Sequence, residues 1–230
     1  MDYPGHLQQF LFGYYPYLAL VVFSVGSLLR FDREQYTWKS DSSQLLRQRQ
    51  LRWGSNLFHV GILGIFFGHL GGLLTPLAVW HALGMTAGAK QLLAIVAGGG
   101  FGGLCLVGLL MLLYRRLADP RIRRHSRTMD VFILVLLLAQ LALGLFSITV
   151  SMRHLDGGQM LKFMEWAQRI VTFRAGAAAL VADASWVFKS HLVLGLTVFL
   201  VFPFSRLVHI WSGFGTVAYL FRPYQIVRSR

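Results

Sequence analysis

A single cysteine in 230 residues, Cys105, gives this chain no disulfide framework to build. It also leaves no C-x-x-C-H motif, which excludes thioether attachment of a prosthetic group. Acidic residues are scarce as well, nine Asp and Glu against 22 Lys and Arg, and none of the nine falls deep in an apolar run. Asp130 comes nearest, at the edge of one. Proton- and cation-coupled carriers rely on carboxylates inside the membrane, so this shortage counts against a transporter. Charged residues make up only 13% of the chain, roughly half the share of a soluble domain. Residues 1–6 lack a basic segment and the first apolar run is long enough to span, so no cleavable signal peptide is expected.

What is present in quantity is apolar sequence, 55% of the residues. Five stretches have the roughly 20 apolar residues that cross a bilayer as helix: Leu7–Leu29, Gly54–Leu74, Ala89–Leu113, Met129–Ile148 and Val187–Trp211. Backbone groups in lipid must pair within their own segment, which selects helices over open strands. The expectation is an all-α membrane protein, a bundle of five transmembrane helices forming a single domain over 1–230.

The net charge of +13 follows the same plan. Nucleic-acid binding would need the basic residues on one soluble face, and instead they collect in short connections. The connection after the first span carries Arg30, Arg33, Lys39, Arg47, Arg49 and Arg52. The connection after the third carries Arg115, Arg116, Arg121, Arg123, Arg124 and Arg127, and the C-terminal tail Arg222, Arg228 and Arg230. Positive residues mark cytoplasmic loops, so the N-terminus is expected outside and the C-terminus in the cytoplasm. The fourth connection, 151–186, is then external despite Arg153, Lys162, Arg169 and Arg174; long loops translocate regardless of charge. Within it, Met160–Phe173 places Met160, Phe163, Met164, Ala167, Ile170 and Val171 on one helical face, which predicts a short amphipathic helix on the outer surface or packed on the bundle.

Four of the eight histidines stand inside spans, His59 and His69 in the second, His191 and His209 in the fifth. One such histidine can simply hydrogen-bond a neighbouring helix. Two on each of two helices point to axial coordination of two irons. Ten residues separate His59 from His69, about 15 Å of helix, and eighteen separate His191 from His209, about 27 Å in an unbroken helix. The two spans run antiparallel, so His69 pairs with His191 near the outer face and His59 with His209 near the cytoplasm. The unequal separations call for tilt or a kink, for which Pro203 is placed.

Gly61, Gly64, Gly68 and Gly72 thread the second span and Gly195 follows His191 by one turn; each makes room for a porphyrin or for a neighbouring helix. Gly98, Gly99, Gly100, Gly102 and Gly103 in the third span favour helix packing. Arg206, one turn before His209, is a candidate partner for a haem propionate or a snorkelling interface residue. Lys90 is the sole basic residue after the second span, level with His69, and is a candidate contact to a quinone oxygen or a propionate. His6, His81, His125 and His154 fall in tails or connections and read as solvated.

These residues sit in a recognisable context. LRFDREQYTWKSDSSQLL at 29–46, SNLFHVGILGIFFGHLGGLLTP at 55–76, AKQLLAIVAGG at 89–99 and KSHLVLGLTVFLVFPFSRLVHIWS at 189–212 resemble the gamma subunit, a di-haem cytochrome b, of membrane-bound respiratory nitrate reductase. The resemblance runs over nearly the full length. It implies two non-covalent b haems between helices 2 and 5, the inner on His59 and His209 and the outer on His69 and His191. It implies a quinol site at Gly68, His69 and Lys90, and a place in the bacterial cytoplasmic membrane. The implied partners are an iron–sulfur beta subunit and a molybdenum-containing alpha subunit on the cytoplasmic side, where nitrate is reduced to nitrite. Segments 30–52 and 114–127 and the C-terminal tail are candidate contacts to them, or to lipid headgroups. Two departures affect loop detail: LAVW follows Thr75-Pro76 where a histidine is expected, and Arg174 stands where a histidine is familiar. A di-haem cytochrome b of a formate dehydrogenase or hydrogenase, and a haem-free transporter or scaffold, stay open as alternatives.

Overall fold

The computed structural model describes residues 5–33, 48–124, 126–153 and 155–211. Lys39 and Arg47 of the first connection, His125, His154 and the C-terminal Arg222, Arg228 and Arg230 lie outside the described residues. Everything regular among the described residues is helical, with no strand. Five helices are long and apolar enough to cross a membrane: α1 His6–Arg33, α2 Gln48–Leu74, α4 Ala87–Ala118, α6 Thr128–Ser151, and a last one over Trp186–Phe204. Shorter helices connect them: α3 Leu77–Ala82, α5 Pro120–Arg124, α7 Gly158–Val171 and α8 Ala177–Leu180. The regular part of the fifth span, α9, covers Trp186–Val201. All five spans fall where the apolar runs predict, the first four longer at one or both ends and the fifth shorter, ending at Phe204 and not at Trp211.

α2 and α4 form the closest pair, and glycine makes the contact. A Cβ on Gly61 would lie 2.4 Å from the Cys105 backbone nitrogen, and one on Gly108 2.3 Å from that of Phe58. A Cβ on Gly64 would strike the Phe101 ring at 2.3 Å. Gly61 and Gly64 are therefore helix-packing residues, the outcome that small-residue spacing in membranes favours. In the glycine-rich stretch of α4 only Gly102 is tight, 2.6 Å from Leu145 Cδ2, while Gly100 and Gly103 have nothing within 4 Å. The packing expected of that whole run belongs to one position.

α9 packs on α1 and α6, and faces α2 across a looser space. The fifth span does not continue as α-helix to Trp211. Pro203 lacks an amide proton and its ring cannot follow a helical turn, so the chain tightens into 3-10 turns at Phe202–Phe204 and Arg206–Val208, separated by extended Ser205 (φ −113°, ψ 175°). The break is held from both sides. Ser205 Oγ accepts the Leu207 amide proton and donates to the Phe202 carbonyl. From α1, the Arg30 guanidinium donates to the carbonyls of Pro203 (2.6 Å) and Ser205 (3.0 Å), while Gly26 lets the Pro203 ring lie close. These are the carbonyls that a broken helix leaves without partners.

The opposite end is closed by the 151–186 connection. α7 packs onto the bundle, burying Met164, Trp166, Ala167 and Ile170. Trp166 joins this face and donates its indole N–H to the Phe12 carbonyl inside a π-helical turn of α1, Phe10–Tyr14. Val171, expected on the buried face, is exposed instead, because the helix ends there. Gln168 donates to the Leu73 and Thr75 carbonyls at the end of α2, which ties the two helices together.

Candidate cofactor site between the second and fifth spans

The intramembrane histidines meet as two pairs. The rings of His59 and His209 are 6.0 Å apart between centres, and those of His69 and His191 are 6.1 Å apart. Two imidazole nitrogens bound to one iron at about 2 Å each, with roughly 1 Å more to each ring centre, also give about 6 Å. Among the described residues no three His, Cys, Asp or Glu side chains gather as a metal-binding group. Two facing imidazoles with no third protein donor suit a metal whose other ligands come from a macrocycle, as in haem.

The break after α9 accounts for the unequal sequence spacing. The ten-residue separation on α2 corresponds to about 15 Å of regular helix. On the other side the eighteen residues cross two 3-10 turns and an extended residue, so the straight-helix figure of about 27 Å does not apply. Both pairs close together.

Three of the rings are oriented by their own chain segment. Nδ1 of His59 lies 2.7 Å from the Ser55 carbonyl, that of His69 2.8 Å from Ile65, and that of His209 2.7 Å from Arg206. A carbonyl only accepts, so each Nδ1 carries the proton and each Nε2 keeps its lone pair for a metal. Such outer partners also raise the basicity of a ligating imidazole. His191 is held differently, its ring pressed against Gly144 of α6, where a Cβ would lie 3.0 Å from Cε1. The space beside His69 is open: a Cβ on Gly68, Gly71 or Gly72 would meet nothing within 4 Å. Of the glycines in α2, these and not Gly61 and Gly64 leave room for a planar group.

Lys90 is buried, not free at the surface. Its Nζ donates to the Gly72 carbonyl at 2.7 Å, one turn beyond His69, and lies 3.0 Å from Met164 Sδ and 5.2 Å from the Trp80 ring centre. It thus joins the end of α2 to α7 beside the His69–His191 pair. Arg206 pairs through Nε with Asp130 Oδ1 at 3.5 Å, and Arg116 donates to Asp130 Oδ2 at 3.0 Å. One carboxylate facing two guanidiniums leaves positive charge beside His209, so Arg206 is more than a snorkelling side chain. Asp130 read as a span-edge residue in the sequence, with nothing there to tie it to Arg206. In the 151–186 connection, a hydrogen bond from Arg169 holds the Glu165 carboxyl below its ordinary range, and one from Lys162 does the same for Asp183. These pairs brace α7 and α8 and lie away from the histidines.

Comparison with known proteins adds relatives to this geometry. Residues 8–230 match the nitrate reductase gamma subunit family. The chain is similar to the respiratory nitrate reductase 1 gamma chain of Escherichia coli (strain K12), 50% identical over 97% of this chain and 98% of that one. It is equally similar, at 50% over 98% of each chain, to the respiratory nitrate reductase 2 gamma chain of the same strain. The nitrate reductase gamma chain of Bacillus subtilis (strain 168) is 36% identical over 96% of this chain and 98% of its own length.

Proposed function

This chain belongs to the nitrate reductase gamma subunit family, and from that premise we propose that it oxidises quinol near the outer face of the bacterial cytoplasmic membrane and carries the electrons to partner subunits on the other side. It is a membrane anchor subunit of respiratory nitrate reductase. The whole of 1–230 forms one di-haem cytochrome b domain, with its N-terminus outside and its C-terminus in the cytoplasm. The partners are an iron–sulfur beta subunit and a molybdenum-containing alpha subunit, on which nitrate is reduced to nitrite. Of the readings open from sequence, the family match favours this one over a formate dehydrogenase, a hydrogenase or a haem-free carrier.

The observation that carries the reading is the pair of histidine couples, each about 6 Å between ring centres, stacked along α2. His59 and His209 would hold the inner haem iron, and His69 and His191 the outer. Two b haems bound there would supply one-electron redox chemistry. The chain does the rest. Carbonyls of Ser55, Ile65 and Arg206 keep the proton on Nδ1 and the lone pair on Nε2. A histidine from each of the two helices would leave little access for other ligands, which suits the group to electron transfer. Arg206, in its cluster with Asp130 and Arg116, offers positive charge to a propionate of the inner haem.

Quinol enters the open space beside Gly68 and His69, whose two nitrogens are already engaged, and is received there by Lys90, the single lysine at that end of α2 and α4. Lys90 is positioned by the Gly72 carbonyl and donates from there toward a quinol oxygen, while protons released on oxidation leave at the outer face. Haem analysis of the purified subunit tests the core of this. The expected result is two extractable b haems with bis-histidine spectra; a protein that folds with none would overturn it.

A further inference from the structure

His191 is the exception among the paired histidines. The other three direct Nδ1–H to a carbonyl of their own chain segment. His191 Nδ1 is buried and has no hydrogen-bond partner. The backbone carbonyl of Gln140 on α6 lies near the ring without reaching hydrogen-bond geometry, and Gly144, one turn on, admits the ring because it has no Cβ.

The two helices exchange side chains through a pair of glycines. His191 of α9 fits at Gly144 of α6, and Gln140 of α6 fits at Gly195 of α9, where a Cβ would lie 3.0 Å from the Gln140 Nε2. Gln140 is the one amide in the otherwise leucine-rich α6. Its Oε1 is buried and, like His191 Nδ1, lacks a partner. A buried N–H short of an acceptor and a buried oxygen short of a donor therefore stand about one helical turn apart on facing helices. Buried polar groups are kept where something uses them.

We propose that Gln140 is the positioning residue for His191: its amide oxygen accepts the Nδ1–H, while Gly144 and Gly195 provide the clearance for the exchange. The proposal rests on His191 being an axial ligand of the outer haem. It differs from the arrangement of the other three ligands in one respect. The acceptor comes from another helix, so the α6–α9 packing and the electronic character of the outer ligand are linked.

An acceptor on Nδ1–H makes an imidazole a stronger donor to the metal, which favours the oxidised iron. Gln140→Leu, which leucine-rich α6 accommodates, should keep two haems and shift the outer haem to higher potential, with the inner haem unmoved. Gln140→Glu retains an acceptor and should hold the outer haem at or below its original potential. Gly144→Ala should alter the outer haem's paramagnetic resonance or its occupancy, since the new methyl presses on the His191 ring. The measurements are haem content, redox titration and low-temperature resonance on the intact complex, with the outer haem identified by its loss in His69→Gln. An unmoved outer haem in Gln140→Leu, or an upward shift in both Gln140 variants, would overturn the positioning role while leaving the haem reading intact. Absence of haem from the unmodified complex would instead overturn the reading on which it rests.

Discussion

At the scale of single residues, glycine shows how one residue type serves opposite purposes along α2. Gly61 and Gly64 are filled by α4, whereas Gly68 and Gly72 face space with nothing within 4 Å. A methyl at Gly61 must displace the backbone at Cys105, so Gly61→Ala should cost about 1–3 kcal/mol or more, the usual penalty for overpacking. Gly68→Ala has no such clash and removes the flexibility of glycine from a helix, which should be neutral or gain about 0.5–1 kcal/mol. Thermal unfolding in detergent checks both: a clear loss at Gly61 and none at Gly68 are expected, and equal losses would contradict the division. Gly68→Ala should nevertheless slow quinol oxidation if the quinol lies there. The histidines give a second test at this scale. His69→Gln or His191→Gln should remove the outer haem and quinol oxidation and spare the inner haem, while His59→Gln should do the reverse for haem content. Loss of the inner signal from His69→Gln would mean that the pairs are crossed.

At the scale of elements, the break after α9 has the largest consequence, because it brings His209 level with His59. Arg30 holds that break by donating to two carbonyls freed at Pro203 and Ser205. Arg30→Ala should therefore reduce occupancy of the inner haem and leave the outer one in place, read from the two spectral components. Hydrogen bonds from a charged donor are worth about 1.5–3 kcal/mol each. Arg30→Lys keeps the charge with a single-headed donor and should fall between. The 151–186 connection makes a pH prediction. Glu165 and Asp183 are held below their ordinary range, so their contribution is present at neutral pH and lost as pH falls through the carboxylate range. Both are exposed, so the effect should be small: faster proteolysis of 153–186 in acid than at neutral pH, with the spans unaffected. Much of this level was legible in the sequence. Five spans follow from run length, and two couples follow from histidines on antiparallel helices. A kink at Pro203 was legible, but its form was not, since a proline permits either a bent helix or a stop, and the choice depends on Gly26 and Arg30 of a distant helix. Nor was the α6–α9 exchange, because sequence does not say that Gly144 comes abreast of His191. Trp166 was missed on α7 for a related reason: its acceptor is a carbonyl in a π-helical turn of α1, which hydrophobic spacing does not reveal.

At the scale of the whole molecule, charge and redox direction can be tested together. One end of the bundle carries Arg115, Arg116, Arg121, Arg123 and Arg124 around the end of α4 and α5. The other end carries α7, α8 and the buried Lys90, with two of its carboxylates, Glu165 and Asp183, in ion pairs. Excess arginine in short connections is retained on the cytoplasmic side, so the His59–His209 couple beside Arg206 should be the inner one. Single cysteines placed at Leu155 and at Arg121, in a background with Cys105 replaced, should label from opposite sides of intact cells: the first from outside, the second only after permeabilisation. The same orientation fixes where protons go. Under the proposed function, reduced quinone would give up its protons at the end where His69 and Lys90 lie, and its electrons would cross toward the arginine-rich end. In vesicles holding the full complex in one orientation, nitrate-driven quinol oxidation should acidify the compartment that α7 faces. A chain whose Leu155 label is external but whose protons appear at the Arg121 side would keep this topology and overturn the placement of quinol.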